Sequence, residues 1–134
     1  MKYNGVIENK LRLIEQKLQE IRSWKIDSYD QLQKSSLLQN ATERALQVSI
    51  ELMIDVSERI LALEQIPPQN TAADNIRQLQ ELKIIQPLPE YLEMKKFRNF
   101  IVHRYEKIDL EIIYSILKNK LFLFESFVRD IRNS

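Results

Sequence analysis

Gly5 is the only glycine in 134 residues, and four prolines are the only other strong breakers of regular structure. Tight hairpins draw on glycine for the positive φ of their central residues, so a sandwich or barrel of many short strands has no material for its turns. Helix interiors need no such residues, and a chain this poor in glycine is directed to the all-α class. Its composition, 44% hydrophobic and 29% charged, is that of a folded domain and not of a disordered one. At this length one domain buries an adequate core without metal or disulfide. Residues 1–134 therefore read as a single helical domain, with no linker, repeat or low-complexity tract to divide them.

The absence of cysteine removes thiol catalysis, cysteine-based zinc sites and a disulfide framework, and makes the cytoplasm the expected compartment. The N-terminus leads straight into a charged helical pattern without a signal-peptide core, and no apolar run reaches the length of a membrane span, so no membrane is expected as a partner. Lys plus Arg (20) nearly balance Asp plus Glu (19), so any site for a polyanion has to be local.

Ile7, Leu11, Ile14, Leu18 and Ile21 alternate spacings of four and three and predict an amphipathic helix over residues 4–24. A second and longer pattern starts at Asp30 or Ser35 and runs to Leu63, ahead of Pro67 and Pro68. It carries two apolar stripes, one through Leu38, Ala41, Ala45, Val48 and Leu52, the other through Leu46, Ile50, Met53 and Ile60. Two faces need two partners: either a second subunit covers one of them, or the helix is the centre of a bundle. Residues 72–82 predict a short helix with Ile76, Leu79 and Leu82 on one side. Pro89 and Glu90 suit a helix start, and Leu92, Phe97, Phe100 and Ile101 carry that helix toward Tyr105. Asp109 is a good N-cap for a last helix with the most regular stripe of all, Leu110, Ile113, Leu117, Leu121, Phe124, Val128 and Ile131. The fold expected is an up-and-down bundle of about five helices.

A single histidine narrows the chemistry. No serine sits in a glycine-flanked elbow around which a triad with His103 could form. Phe100 stands where a carboxylate-bridged di-metal bundle would need glutamate, three residues before His103. One glycine makes no phosphate-cradling loop. No cofactor and no metal are expected. What remains is the stretch 95–107, with Lys95, Lys96, Arg98, Arg104 and Lys107 against the one acid Glu106. A charged run reads first as a solvated helix face and a lone histidine as a structural one. The same residues supply the local field a phosphodiester needs. On an ideal helix Asn99 and His103 lie about 40° apart, whereas Arg98 and His103 lie about 140° apart. Arg98 and His103 thus meet across a two-fold axis, or where the helix end unwinds. Paired, they make chemical sense: histidine moves a proton, and arginine stabilises charge on phosphorus oxygens.

Arg98-Asn99-Phe100-Ile101-Val102-His103-Arg104-Tyr105 resembles the R-x-x-x-x-H-x-Y motif of HEPN-domain ribonucleases, and specifically that of the HepT toxins of MNT/HepT (type VII) toxin–antitoxin systems. The likeness runs on through Glu43-Arg44-Ala45-Leu46-Gln47 and Ile54-Asp55 of the long helix, the proline-bearing middle, and Ile108-Asp109. It implies a HEPN-like homodimer that cuts RNA, transfer or messenger, without metal, by attack of the neighbouring 2′-hydroxyl. Arg98 would stabilise the transition state, His103 would transfer a proton, and Asn99 would position one of them or the phosphate. Lys95, Lys96 and Arg104 are phosphate-contact candidates from local charge. The resemblance also implies an MNT-type nucleotidyltransferase as antitoxin, with Tyr105 as the candidate for AMPylation; the alternative for Tyr105 is a structural tyrosine closing the helix against the core. Two other classes stay open, a non-catalytic accessory or substrate-binding subunit of a nucleotidyltransferase and a helical scaffold.

Overall fold

The computed structural model of the chain describes Tyr3, residues 5–102 and residues 109–134, with all their side chains but those of Lys95, Phe100, Ile101 and Val102. These residues form α1 (Val6–Ser23), α2 (Tyr29–Gln33), α3 (Ser36–Leu63), α4 (Ala72–Glu81), a 3-10 helix (Pro89–Glu93), α5 (Met94–Val102), α6 (Leu110–Asn119) and α7 (Leu121–Arg132), and no strand occurs among them. The class is all-α, as expected. Three of the expected segments are each broken in two, and the breaks have local causes.

Helix starts are set by side chains that replace the missing intrahelical partner. Ser28, Ser35 and Thr71 accept from the amides of Gln31, Leu38 and Asp74, and Asp109 accepts from those of Glu111 and Ile112. Ser28 and Ser35 each begin a helix, so the long segment opens with the separate turn α2 before α3. Pro89 stands in the first turn of the 3-10 helix, which tightens the start of the fourth segment before α5 takes over at Met94. The last segment is divided at Lys120, whose φ of −123° and ψ of −3° interrupt an otherwise continuous apolar stripe. α6 then packs on α2 while α7 packs on α1, and one straight helix could not serve both neighbours.

Helix ends solve the shortage of glycine in an unexpected way. The left-handed residue that closes a helix is Lys25 after α1, Gln65 after α3 and Lys83 after α4, with φ of 50°, 60° and 60°. Behind α3, Gln65 N donates to Ala62 O at 3.1 Å and Ile66 N to Leu61 O at 2.9 Å; behind α4, Lys83 N donates to Gln80 O and Ile84 N to Leu79 O, both at 3.0 Å. These are the two bonds of the Schellman motif. Each left-handed residue is followed by an isoleucine, Ile26, Ile66 or Ile84, packed against the core, which offsets the strain of a β-carbon in that conformation. Leu82, expected on the buried side of α4, is instead its C-cap and 40% exposed, because the chain has already turned outward there.

α3 is the centre of the molecule and packs against α1, α2, α4, α5, α6 and α7. Leu46, Ile50, Met53 and Ile60 are fully buried, Ala45 nearly so, and Leu38, Ala41, Val48 and Leu52 are half-buried. The doubled stripe is thus accounted for largely within the chain. α1 runs antiparallel beside it: the Tyr3 hydroxyl donates to Glu64 at 2.7 Å, and Lys10 pairs with Asp55 at 2.7 Å. α7 is fastened to α1 by Arg132, which donates to Glu8 at 2.8 Å and to Glu15 at 2.6 Å. That hydrogen bond holds the Glu8 carboxyl below its ordinary pKa in spite of partial burial.

Tyr91 plugs the junction of the 3-10 helix with α7. It is fully buried, edge-on to Phe127 with ring centroids 6.3 Å apart, and its hydroxyl donates to Leu123 O at 3.3 Å. Burial pushes its phenol from 10.0 up to about 12. Folding therefore favours the neutral phenol, whose contribution is complete below the unfolded value and is lost as pH rises from 10 to about 12. At neutral pH, Tyr91→Phe is expected to be less stable than wild type by about 1 kcal/mol for the lost hydrogen bond. Between the two pKa values the wild type alone loses a further ~3 kcal/mol, so thermal melts of the two proteins should cross; parallel curves would refute this role. Lys83→Gly should raise stability by about 0.5–1 kcal/mol in urea unfolding, because glycine adopts the closing conformation without strain.

Candidate active site

The position of α5 is decided by the residues that lead into it. Tyr91 and Met94 are buried, and Leu92 and Phe97 are half-buried against the core. Arg98 follows Met94 by one turn and so leaves the helix on the side that faces α3. Its Nε lies 3.8 Å from Glu51 Oε1, both side chains being 43% exposed. Asn99, about 100° further round the helix, is exposed, as is Lys96. The expected arginine therefore sits at an accessible seam between α5 and α3, and two of its polar neighbours face solvent. His103, Arg104 and Tyr105 lie outside the described residues, as does the side chain of Lys95.

Glu51 is a neighbour of Arg98 that sequence reading missed, and Gln47 stands next to it. Gln47 Nε2 donates to the Oε1 of Glu51 at 3.5 Å, the same oxygen that faces Arg98. A signal was present: Glu43, Gln47, Glu51 and Asp55 recur every four residues along an apolar helix, which makes a polar line between two stripes. Asp55, at the far end of that line, is bound to Lys10 at 2.7 Å and Arg59 at 3.2 Å. Burial raises its carboxyl pKa, but the hydrogen bonds from these two cations outweigh burial and leave it below the ordinary value. It is engaged in holding α1, whereas Glu51 faces the motif.

An arginine held at a half-open seam on a short helix can receive a phosphate, since its charge is permanent and its terminal nitrogens form a fork that matches phosphate oxygens. It cannot by itself move a proton, because the guanidinium stays charged.

Comparison with known proteins bears on the same segment. The chain is 28% identical over 131 residues to the mRNA nuclease HepT of Shewanella oneidensis, covering 96% of this chain and 98% of that protein. It is 26% identical over 130 residues to the tRNA nuclease HepT of Aphanizomenon flos-aquae, covering 96% and 88%. Among solved structures it superposes with a TM-score of 0.87 and 26% identity on the tri-AMPylated S. oneidensis HEPN toxin in complex with MNT antitoxin, covering 98% of this chain and 100% of that one. A toxin–antitoxin structure with AMP-PNP gives a TM-score of 0.88 at 26% identity and the same coverage. Residues 14–131, which include α3, α5 and the whole motif, match the family described as ribonuclease HepT-like; the chain belongs to the HepT-like ribonuclease family.

Proposed function

We propose that the chain, acting as one helical domain in the cytoplasm, is the toxin of an MNT/HepT toxin–antitoxin pair. In this reading it is a metal-independent endoribonuclease, silenced by a partner nucleotidyltransferase. The observation that carries the reading is that Arg98–Tyr105 falls inside the stretch matching the HepT-like ribonucleases, in a chain whose relatives are named mRNA and tRNA nucleases. The half-exposed setting of Arg98 at the α5–α3 seam supports it. Among the described residues no helix is long and apolar enough to cross a membrane.

The reaction is a transfer within RNA. The 2′-hydroxyl loses its proton as its oxygen bonds to the adjacent phosphorus, the bond from phosphorus to the 5′-oxygen breaks, and that oxygen takes up a proton. The products are a 2′,3′-cyclic phosphate and a 5′-hydroxyl end. His103 moves one of these protons, and Arg98 stabilises the charge that builds on the non-bridging oxygens. Asn99, exposed beside Arg98, orients the phosphate; Lys95, Lys96 and Arg104 contact neighbouring phosphates. On an ideal helix Arg98 and His103 would diverge by about 140°, which supports a site completed across a homodimer, Arg98 of one protomer serving His103 of its partner. The half-buried stripe of Leu38, Ala41, Val48 and Leu52, with Leu37 79% exposed ahead of it, offers apolar surface for such an association.

Control falls on Tyr105. Its phenol oxygen attacks the α-phosphorus of ATP, the new O–P bond forms as the bond to pyrophosphate breaks, and the phenol proton passes to solvent. Each adenylate adds bulk and negative charge two residues from His103, which repels the RNA backbone.

Purified protein should cleave RNA in the presence of chelator, and Arg98→Ala and His103→Ala should each abolish cleavage. Mixed and allowed to exchange subunits, the two inactive variants should regain about a quarter of wild-type activity, since half the dimers are mixed and each then holds one intact site. Retained activity in either variant would reject the assignment, and no recovery on mixing would reject the shared site. Co-expression with the nucleotidyltransferase should increase the mass in steps of one adenylate that vanish in Tyr105→Phe. An unmodified toxin that is nevertheless fully inhibited would assign control to binding alone.

A further inference from the structure

Three features outside the motif residues invite explanation. The cleft between α1 and α7, lined by Glu15, Arg22, Glu125, Arg129 and Arg132, has most of its cations paired: Arg22 with Glu125, and Arg132 with Glu8 and Glu15. It fastens two helices. The groove between the ends of α4 and α7 is lined by Ile84, Ile85, Pro87 and Asp130, and Asp130 is occupied in accepting from the Gln86 amide at 3.1 Å. The third feature is the polar line on α3, and it leads to the motif.

We propose that Glu51 is the positioning residue for Arg98. The inference rests on the nuclease reading above and adds to it the group that aims the arginine. A guanidinium offers one edge at Nε and a fork at its two terminal nitrogens. Glu51 approaches Nε at 3.8 Å, so the fork remains for the phosphate. The carboxylate is itself steadied, because Gln47 Nε2 donates to the same Oε1 from one turn earlier on α3. α3 packs against six other helices, while α5 carries Arg98 on nine residues. Gln47 and Glu51 thus tie a catalytic side chain on a short helix to the central helix of the bundle. An exposed pair at this distance adds little to stability, so its removal should register in turnover and not in melting.

The test uses the full chain and a 5′-labelled single-stranded RNA of mixed sequence. Glu51→Ala should lower kcat about tenfold while KM stays within about twofold and the melting temperature is unchanged, the signature of lost alignment without lost binding. Glu51→Gln keeps a carbonyl oxygen for Gln47 and Arg98 and should lose only about threefold. A wild-type kcat in Glu51→Ala, or in Glu51→Gln were the alanine form to unfold, beside an inactive Arg98→Ala would overturn the positioning role alone. Faster cleavage by Glu51→Ala would also overturn it, by making the carboxylate a competitor for Arg98. Wild-type cleavage by Arg98→Ala would remove the nuclease reading and this role together.

Discussion

Burial of α3 along its 28 residues is the constraint on which the rest of the molecule depends. A helix with apolar side chains on two faces needs cover on both, and six neighbouring helices pack on it while the stripe of Leu38, Ala41, Val48 and Leu52 stays half-buried. Close approach requires small side chains, and Ser49 and Ser57 provide them without leaving buried hydroxyls unpaired: each donates to the carbonyl four residues earlier, Ala45 and Met53, at 2.8 Å. The line Glu43, Gln47, Glu51 and Asp55 runs along the polar face of α3, and α1 and α5 bring cations to meet Asp55 and Glu51. The central helix therefore organises both the core and the electrostatics of the surface above it.

α5 inherits its geometry from this arrangement. Tyr91 and Met94 are anchored in the core, and the helix that follows them has little freedom in which way Arg98 leaves. A functional arginine on a short helix loses much of its effect if its terminal nitrogens wander, because charge stabilisation depends on groups already in place when charge develops. The carboxylate that stands beside Arg98, 3.8 Å from Nε, is Glu51 of the central helix. The same economy of parts recurs at the chain's end, where Arg132 spans Glu8 and Glu15 and so fastens α7 to α1 with one side chain.

Helix closure without glycine is a separate lesson in local physics. A left-handed residue carrying a β-carbon is strained by roughly 1–2 kcal/mol, yet Lys25, Gln65 and Lys83 all adopt it. In each case the next residue is an isoleucine that packs into the core. Tertiary burial of the residue after the cap stabilises a conformation that the cap residue itself disfavours, and the polar side chain at the cap stays in water.

Much of this was legible in the sequence. The α1 stripe from Ile7 to Ile21, the cap Asp109, the prolines that end segments and the motif from Arg98 to Tyr105 all depend on spacings within a turn or two, and such spacings survive any tertiary arrangement. By contrast, the break at Lys120, the exposure of Leu82 and the pairing of Arg98 with Glu51 depend on which helices lie side by side. A stripe reads the same whether one helix or two carry it, and Glu51 stands 47 positions from Arg98. The sequence by itself determined an all-α chain, the start of its last helical segment at Asp109 and the residue types of the motif, because these are local. Only the tertiary structure decided where helices bend, which face α3 turns to α5 and what holds the arginine, because packing selects among neighbours that a linear pattern leaves equivalent.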